Sequence, residues 1–224
     1  MEIIKTILEG NGDFRSEECL KLLEEADIVI TNPPFSLFRE FFDLLIEYKK
    51  KFLIIGNIAS IGCKNVFPYF ARNEVWLGPS IRGGDRWFKV PKNYPLAACT
   101  CKSDETGRYV KVKGVRWFTN LKHNYQQPFL DLKCSYEQNP EDYPFFDHFP
   151  AINVNRTKDI PFDYDGLMGV PLTFIDKYNP KQFEIIEGLQ RYPVIKSIVN
   201  NPKGTFCSSV NGKEMFFRII IRRK

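Results

Sequence analysis

The stretch DIVITNPPFSLFREFF, from Asp27 to Phe42, runs from an apolar segment into two consecutive prolines and then restarts with a helical pattern. Asp27 to Thr31 is rich in β-branched residues without polar alternation, which predicts a fully buried strand. Ser36 to about Tyr48 predicts an amphipathic helix with Ser36 as its N-cap. A strand, a rigid turn and a helix in this order are typical of a parallel α/β sheet.

The flanking patterns continue this alternation up to about residue 73. Ser16 stands at an N-cap position ahead of leucines set among acidic residues. Ile3 to Leu8 fits either a strand or a helix. The other elements predicted here are a buried strand from Phe52 to Ile55, closed by Gly56, and a short helix around Val66 to Ala71.

Beyond Asn73, short apolar runs are punctuated by Gly and Pro, which predicts antiparallel strands and hairpins. These runs are Val75 to Leu77, Trp87 to Val90, Leu96 to Cys101 and Tyr109 to Phe118. Residues 120–165 show little periodicity and predict a long ordered loop or an irregular recognition element. Asn211-Gly212, between Phe206 to Val210 and Glu214 to Ile221, is typical of a hairpin turn.

The charge of the chain is concentrated in its later parts. The net charge is +5, yet residues 82–122 carry ten basic and three acidic residues, and residues 203–224 carry six and one. Trp87, Tyr109 and Trp117 are interleaved with the first basic block. This pattern suits a nucleic-acid surface, and it suits equally well a set of strands with solvated lysines and arginines.

Metal-site, membrane and secretion signals are weak. Six scattered cysteines, with Cys99 and Cys101 as the one close pair, favour buried free thiols, and two histidines make a histidine-based metal site improbable. No apolar run is long enough to span a bilayer, and MEIIKTILEG lacks the features of a secretory signal. We therefore expect a cytoplasmic protein without a metal or a membrane partner.

The Asn32-Pro33-Pro34-Phe35 loop is placed to hold an amine. Ligands of open α/β sheets bind at the carboxyl ends of strands, and two prolines lock the backbone while removing N–H donors. The Asn32 side-chain oxygen and the Pro33 carbonyl then form a rigid acceptor pair for the two hydrogens of an exocyclic amine, with Phe35 stacking on the attached ring. Acceptance of both hydrogens favours a pyramidal nitrogen whose lone pair points at an incoming methyl group.

At these residues the sequence resembles the S-adenosylmethionine-dependent N6-adenine DNA methyltransferases, whose catalytic motif reads [Asp/Asn/Ser]-Pro-Pro-[Tyr/Phe/Trp]. The upstream NGDF, Asn11 to Phe14, resembles the preceding family motif. Within that class the chain is most similar to the EcoRI-type modification methylases. The segments that carry this likeness are GDFRSEE, ITNPPFSLFREF, KFLIIGN, RWFTNL and YDGLMGVPLTFIDKYNP, within a span from about Gly10 to the C-terminal RIIIRRK.

The resemblance implies a fold, a cofactor and a partner. It implies a partial Rossmann-like methyltransferase sheet in residues 1–118, the C-terminal part of a catalytic domain, followed by a mixed, β-rich target-recognition region in residues 119–224. Asp13 and Phe14 would hold the adenine of S-adenosylmethionine, and Asn32, Pro33, Pro34 and Phe35 would form the catalytic loop. The partner would be double-stranded DNA, with the reacting adenine flipped out of the duplex.

One family element has no counterpart here. The motif that holds the methionine part of the cofactor, together with the first strands of the sheet, precedes the GDF element in the family, and residues 1–10 cannot replace it. We therefore expect Asp27 to Thr31 to form an apolar sheet edge that a preceding segment, a second chain or Ile3 to Leu8 must cover. We also expect the chain to be a fragment or part of a split protein, and to bind its cofactor poorly by itself.

Two other functions remain open on the sequence. The same acceptor loop can hold a side-chain amide or another base amine, as in a protein-glutamine or RNA methyltransferase. The chain also fits a non-catalytic DNA-binding remnant that has lost the cofactor half. For WFTN, Trp117 to Asn120, core and DNA-facing positions are equally compatible, and YDGLMGVPLTF is expected to be a structural turn and strand.

Overall fold

The structure is a computed structural model that describes residues 7–81, 86–95, 100–122, 127–189 and 208–224. The expectations for Ile3 to Thr6, Leu96 to Cys99 and Phe206 to Cys207 lie outside the described residues. The helices are α1 (Glu17–Glu25), α2 (Phe38–Glu47) and α3 (Phe67–Ala71). The strands are β1 (Ile28–Thr31), β2 (Lys51–Asn57), β3 (Trp76–Leu77), β4 (Arg86–Val90), β5 (Cys101–Asp104), β6 (Gly107–Val112), β7 (Val115–Thr119), β8 (Phe145–Phe146), β9 (Phe149–Asn153), β10 (Leu167–Pro171), β11 (Phe183–Leu189), β12 (Ser209–Val210), β13 (Lys213–Glu214) and β14 (Arg218–Arg223).

The first sheet has the strand order β1-β2-β7-β3. β1 and β2 are parallel, which confirms the parallel pairing predicted for this half of the chain, and α2 provides the crossover between them. β7 pairs antiparallel with both β2 and β3. The carboxyl ends of β1 and β2 therefore lie at one edge of this sheet.

The prediction of a fully buried strand is wrong for β1, which is an edge strand. Ile28 and Ile30 are 46% and 66% exposed, and Val29 is half-buried against the core. No strand of the described residues pairs with the outer edge of β1. An apolar β-branched run has the same appearance whether it is covered on both sides or on one, so the pattern could not distinguish the two cases.

Helix and strand ends differ from prediction in two places. Ser16 caps α1 as expected, since its side-chain oxygen accepts a hydrogen bond from the Cys19 amide at 3.2 Å. Ser36 does not cap α2: a 3-10 helix over Phe35–Leu37 leads into α2, and Ser36 lies inside it. Gly56 lies within β2 and does not end it.

Gly56 is required by the packing of two phenylalanines. A Cβ atom at this position would overlap the Phe38 ring and lie 2.9 Å from Cε2 of Phe118. Both rings are fully buried, with their centroids 4.9 Å apart. The absence of a side chain at Gly56 therefore lets α2 pack closely on the sheet.

The second sheet has the order β11-β14-β10-β9-β8. β9 and β10 are parallel, and β14 pairs antiparallel with β10 and β11. Residues 120–165 were expected to be irregular, but β8 and β9 belong to this sheet; their short lengths and the many aromatics concealed the strand pattern. YDGLMGVPLTF contains the predicted strand, β10, which leads directly into a 3-10 helix over Leu172–Lys177, and β12 and β13 flank Asn211-Gly212 in the predicted hairpin.

A separate three-stranded antiparallel sheet, β4-β6-β5, is inserted between β3 and β7. The run from Tyr109 to Phe118, predicted as one stretch, divides into β6 and β7 because Gly114 adopts a positive φ of 70° between them. The whole is a mixed α/β structure with several small sheets. None of the helices among the described residues has the length and apolar character needed to cross a bilayer.

An ion pair connects the first sheet to the segment that follows β10. Arg116 on β7 donates from Nε and Nη2 to the two carboxylate oxygens of Asp176, at 2.7 and 2.6 Å. The side chains are 6% and 17% exposed. Asp176 lies in the 3-10 helix Leu172–Lys177, which follows β10. The carboxyl end of β10, in the second sheet, therefore lies close to the first sheet.

Two residues of the segment from Trp117 to Asn120 have structural positions. Phe118 is a core residue, and Asn120 accepts from the Phe52 amide at 2.8 Å and donates to the Lys50 carbonyl at 2.9 Å.

The four described cysteines form no disulfide and are only partly buried, so the expectation of buried thiols is wrong for them. They are Cys19, Cys63, Cys101 and Cys134.

Candidate active site

The Asn32-Pro33-Pro34-Phe35 loop leaves the carboxyl end of β1, where the sequence predicted a ligand edge. Asn32 and Pro34 are exposed, Pro33 is buried and Phe35 is half-buried. Pro34 adopts φ −56° and ψ 125°, and its carbonyl accepts a 2.9 Å hydrogen bond from the Leu37 amide. Buried Pro33 thus anchors the loop while Asn32 and the Phe35 ring remain accessible.

Two oxygens of the loop remain available for a ligand. Within the part of the chain that the structure describes, neither the Asn32 side chain nor the Pro33 carbonyl takes part in a hydrogen bond. Because proline has no N–H, the loop offers acceptors without competing donors at Pro33 and Pro34. Chemically, it is suited to a ligand that donates hydrogen bonds, such as an amine.

Helix α2 holds the loop in place through its buried face. Phe38, Phe42 and Leu45 are fully buried, and the rings of Phe38 and Phe42 stack at 6.2 Å. Phe38 also packs against Phe118 of β7. The loop is therefore fixed between a sheet strand and a helix that is rooted in the core, which is the rigidity that positioning a reacting group requires.

The NGDF segment forms a compact turn in which Asp13 makes a bidentate ion pair with Arg15. The Asp13 carboxylate accepts from Arg15 Nε at 2.9 Å and from Arg15 Nη2 at 2.7 Å. The Asp13 amide donates to Asn11 Oδ1 at 3.0 Å. Hydrogen bonds from the Arg15 side chain and backbone lower the pKa of Asp13 to about 2, so this carboxylate is ionised at neutral pH.

The structure brings the two motifs together through α2. Phe14 packs edge-on against Phe41 of α2, with ring centroids 5.1 Å apart and an interplanar angle of 78°. Arg15 Nη1 donates to Glu40 Oε1, also on α2, at 3.3 Å. The helix that begins just after the Asn-Pro-Pro-Phe loop therefore also supports the Asp13–Phe14 pair.

Arg15 makes both of the contacts that a planar ligand would make with this pair. Its guanidinium carbon lies 5.4 Å from the centroid of the Phe14 ring, while its nitrogens bind Asp13. Sequence reasoning missed Arg15 and Glu40. Their only signal was position: Arg15 follows the motif directly, and Glu40 lies on the polar face of an amphipathic helix.

A polar groove of about 810 Å³ lies between α2 and the loop that follows β2. Asn65 Nδ2 donates to both carboxylate oxygens of Asp43 at 2.7 Å, which ties this loop to α2. Burial raises the pKa of the Cys63 thiol in the groove, so it is protonated at neutral pH. The lining residues are Ser36, Arg39, Glu40, Asp43, Gly62, Cys63, Lys64 and Asn65.

A mixed α/β fold with an Asn-Pro-Pro-Phe loop at a strand end is consistent with the class of methyltransferases. The family described as adenine-specific methyltransferase EcoRI matches residues 1–224, and the chain belongs to this family.

Relatives with established names are type II methyltransferases. The chain is 45% identical over 216 residues to M.EcoRI of Escherichia coli, covering 96% of the chain and 63% of the relative. It is 41% identical over 232 residues to M.MgeORF184P of Mycoplasma genitalium, covering all of the chain and 73% of the relative. The corresponding values for M.MpnI of Mycoplasma pneumoniae are 39%, 232 residues, 100% and 72%. No solved structure matches the chain.

Proposed function

We propose that this protein is a site-specific DNA adenine-N6 methyltransferase of a restriction–modification system. The observation that carries the proposal is the loop from Asn32 to Phe35, in which the Asn32 side chain and the Pro33 carbonyl make no hydrogen bond among the described residues. The same helix supports this loop and the Asp13–Phe14 pair. Membership of an adenine-specific family supports the choice of adenine. The first sheet, with parallel β1 and β2, would be the partial Rossmann-like sheet of the catalytic part, residues 1–118, and residues 119–224 would form the target-recognition region.

In this proposal Asn32 and Pro33 activate the target amine. The Asn32 side-chain oxygen and the Pro33 carbonyl accept the two amino hydrogens, which draws the nitrogen lone pair out of conjugation with the ring. As the methyl group transfers, the nitrogen becomes positively charged, and the two preorganised oxygens stabilise that charge. No general base with a shifted pKa is needed.

Phe35 would receive the flipped adenine. Its half-buried ring lies at the start of a 3-10 helix, three residues after Asn32. Stacking of a base on an aromatic side chain contributes about 1–3 kcal/mol. This offsets part of the unstacking that extrusion from the duplex requires.

The Asp13–Phe14 pair fits the adenine of S-adenosylmethionine. The Arg15 contacts support this proposal, because its planar guanidinium lies near the Phe14 ring while donating to Asp13. A carboxylate has about four acceptor sites, so Asp13 can also accept an adenine amine. When bound, this cofactor supplies the electrophilic methyl group.

An Asn32→Ala variant tests the proposal. Loss of one preorganised acceptor is expected to lower methyl transfer by about 10²–10³-fold without weakening DNA binding. The readout is N6-methyladenine in substrate DNA, measured by mass spectrometry of digested nucleosides. Asn139→Ala is the matched control, because Asn139 is also exposed and lies far from the loop in sequence.

Full methyl transfer by Asn32→Ala would rule out the assigned chemistry. Methyl transfer to protein glutamine or to RNA, and not to DNA, would show that DNA is not the substrate. DNA binding without cofactor binding would identify a non-catalytic protein.

A further inference from the structure

The β4-β6-β5 sheet carries an unusual combination of side chains on one surface, here called the lysine–aromatic face: Trp87, Lys89, Lys102, Tyr109 and Lys111. In the strand register, Trp87 lies opposite Lys111, while Tyr109 lies opposite both Lys89 and Lys102. Side chains of residues two apart on a strand, and of directly opposed residues, point to the same side of a sheet. The five side chains therefore share one surface.

The aromatic rings hold the lysine ammonium groups in position. Lys102 Nζ lies 5.2 Å from the centroid of the Trp87 ring and 5.0 Å from that of Tyr109. Lys111 Nζ lies 5.9 Å from the Trp87 ring. These are cation–π distances. The contacts already restrict the long lysine side chains, so less conformational entropy is lost when the lysines bind an anion.

Packing does not explain the aromatic residues of this face. The opposite surface of the sheet carries four partly buried apolar residues, Phe88, Val90, Val110 and Val112, together with Arg86 and Arg108. Trp87, by contrast, is 44% exposed. A large aromatic residue that is exposed among lysines indicates a binding surface.

We propose that the lysine–aromatic face binds the phosphate backbone of duplex DNA. The face presents three lysines, and the Asp104 carboxylate lies 3.6 Å from Lys102 Nζ. Compact ammonium groups on neighbouring strands suit successive phosphates and carry no base information. This inference rests on the proposed function and adds a backbone contact that lies outside the target-recognition region.

The test is DNA binding by the triple variant Lys89→Gln, Lys102→Gln, Lys111→Gln over a range of salt concentrations. Each lost phosphate contact makes the negative slope of log K against log salt concentration shallower by about 0.9. For the triple variant we therefore expect the magnitude of the slope to decrease by about 2–3. Cognate and scrambled duplexes should lose affinity by the same factor. Methyl transfer at saturating DNA should be unchanged.

The matched control is Lys21→Gln, Lys49→Gln, Lys51→Gln, which removes the same charge from exposed lysines outside both this face and the proposed target-recognition region. A second pair of variants tests the rings: Trp87→Leu should weaken binding two- to fivefold, since an exposed cation–π contact contributes about 0.5–1 kcal/mol. Trp87→Phe retains a ring and should bind almost as the unsubstituted protein does.

Two outcomes would overturn the inference: a triple variant that binds like its control, or one that loses affinity for cognate DNA only. Failure of the unsubstituted protein to bind DNA would overturn the proposed function together with this inference. If the unsubstituted protein binds and methylates DNA while the triple variant matches its control, the inference alone fails.

Discussion

Arg15 illustrates how a single residue can compete for a binding pair. It occupies the acceptors of Asp13 and lies over the Phe14 ring, the two features that the family resemblance assigns to the cofactor's adenine. Arg15 and Asp13 are both substantially exposed, so their ion pair is weak and can be exchanged for another partner.

We expect Arg15→Gln to bind S-adenosylmethionine more tightly, by less than about fivefold, because a weak surface ion pair no longer competes for Asp13. Isothermal titration calorimetry measures the change. Arg156→Gln, which removes an exposed pair with Asp159, is the control. Weaker binding by Arg15→Gln would show that Arg15 contacts the cofactor and does not compete with it.

The ionisation of Asp13 has a defined pH range. Its pKa is lowered from 3.8 to about 2, so the carboxylate contributes fully above about pH 4, and its contribution is lost as the pH falls through 2. We expect cofactor affinity to show no step attributable to Asp13 between pH 5 and 9. A step near pH 4–5 that disappears in Asp13→Asn would contradict this assignment.

At the scale of elements, β1 is the least protected strand of the first sheet. Ile28 and Ile30 are exposed, and an apolar edge favours pairing with other chains. Ile30→Lys should reduce self-association, measured by analytical ultracentrifugation, and change the free energy of unfolding by less than about 0.5 kcal/mol. Ile54→Lys, at a buried position of β2, should unfold the protein. Strong destabilisation by Ile30→Lys would mean that another segment covers this position.

The packing of α2 on the sheet depends on Gly56. Gly56→Ala should destabilise the fold by about 1–3 kcal/mol, because the new methyl group overlaps the Phe38 ring in a closely packed core. Gly62→Ala is the control, since its Cβ would meet Phe217 at an ordinary 3.4 Å. Chemical denaturation compares the two, and equal effects would contradict the packing argument.

At the scale of the whole molecule, Arg116 and Asp176 connect the first sheet to the segment that follows β10. Their nearly buried pair is bidentate, and the hydrogen bonds that Arg116 donates to the Asp176 carboxylate raise the pKa of Arg116. Such a pair costs free energy to desolvate, so its contribution is to fix the arrangement of the two sheets more than to stabilise them.

Removal of one partner should be more harmful than removal of both. Arg116→Met leaves Asp176 without its counter-ion and should cost about 3–5 kcal/mol, whereas Arg116→Met with Asp176→Leu should cost less than the sum of the single variants. A double-mutant cycle by chemical denaturation measures the coupling. Additive effects would show that the two residues act independently.

The sequence by itself determined the local features of this protein. Proline geometry predicted a rigid loop after β1, Ser16 predicted a cap, and Asn211-Gly212 predicted a hairpin, because each depends on a few neighbouring residues. The parallel pairing of β1 and β2 followed from the alternation of elements. The motif residues Asn32 and Asp13 were identified in the same way, while their roles remain proposals.

Only the tertiary structure decided what each element faces. β8 and β9 join a distant sheet, Arg15 lies against the Asp13–Phe14 pair, and Arg116 meets Asp176 sixty residues later. These facts depend on contacts between residues far apart in the chain, and a local apolar pattern records that a residue prefers burial without recording its partner. The physical reason is that burial and pairing are properties of the assembled surfaces, whereas turns and caps are properties of the local backbone.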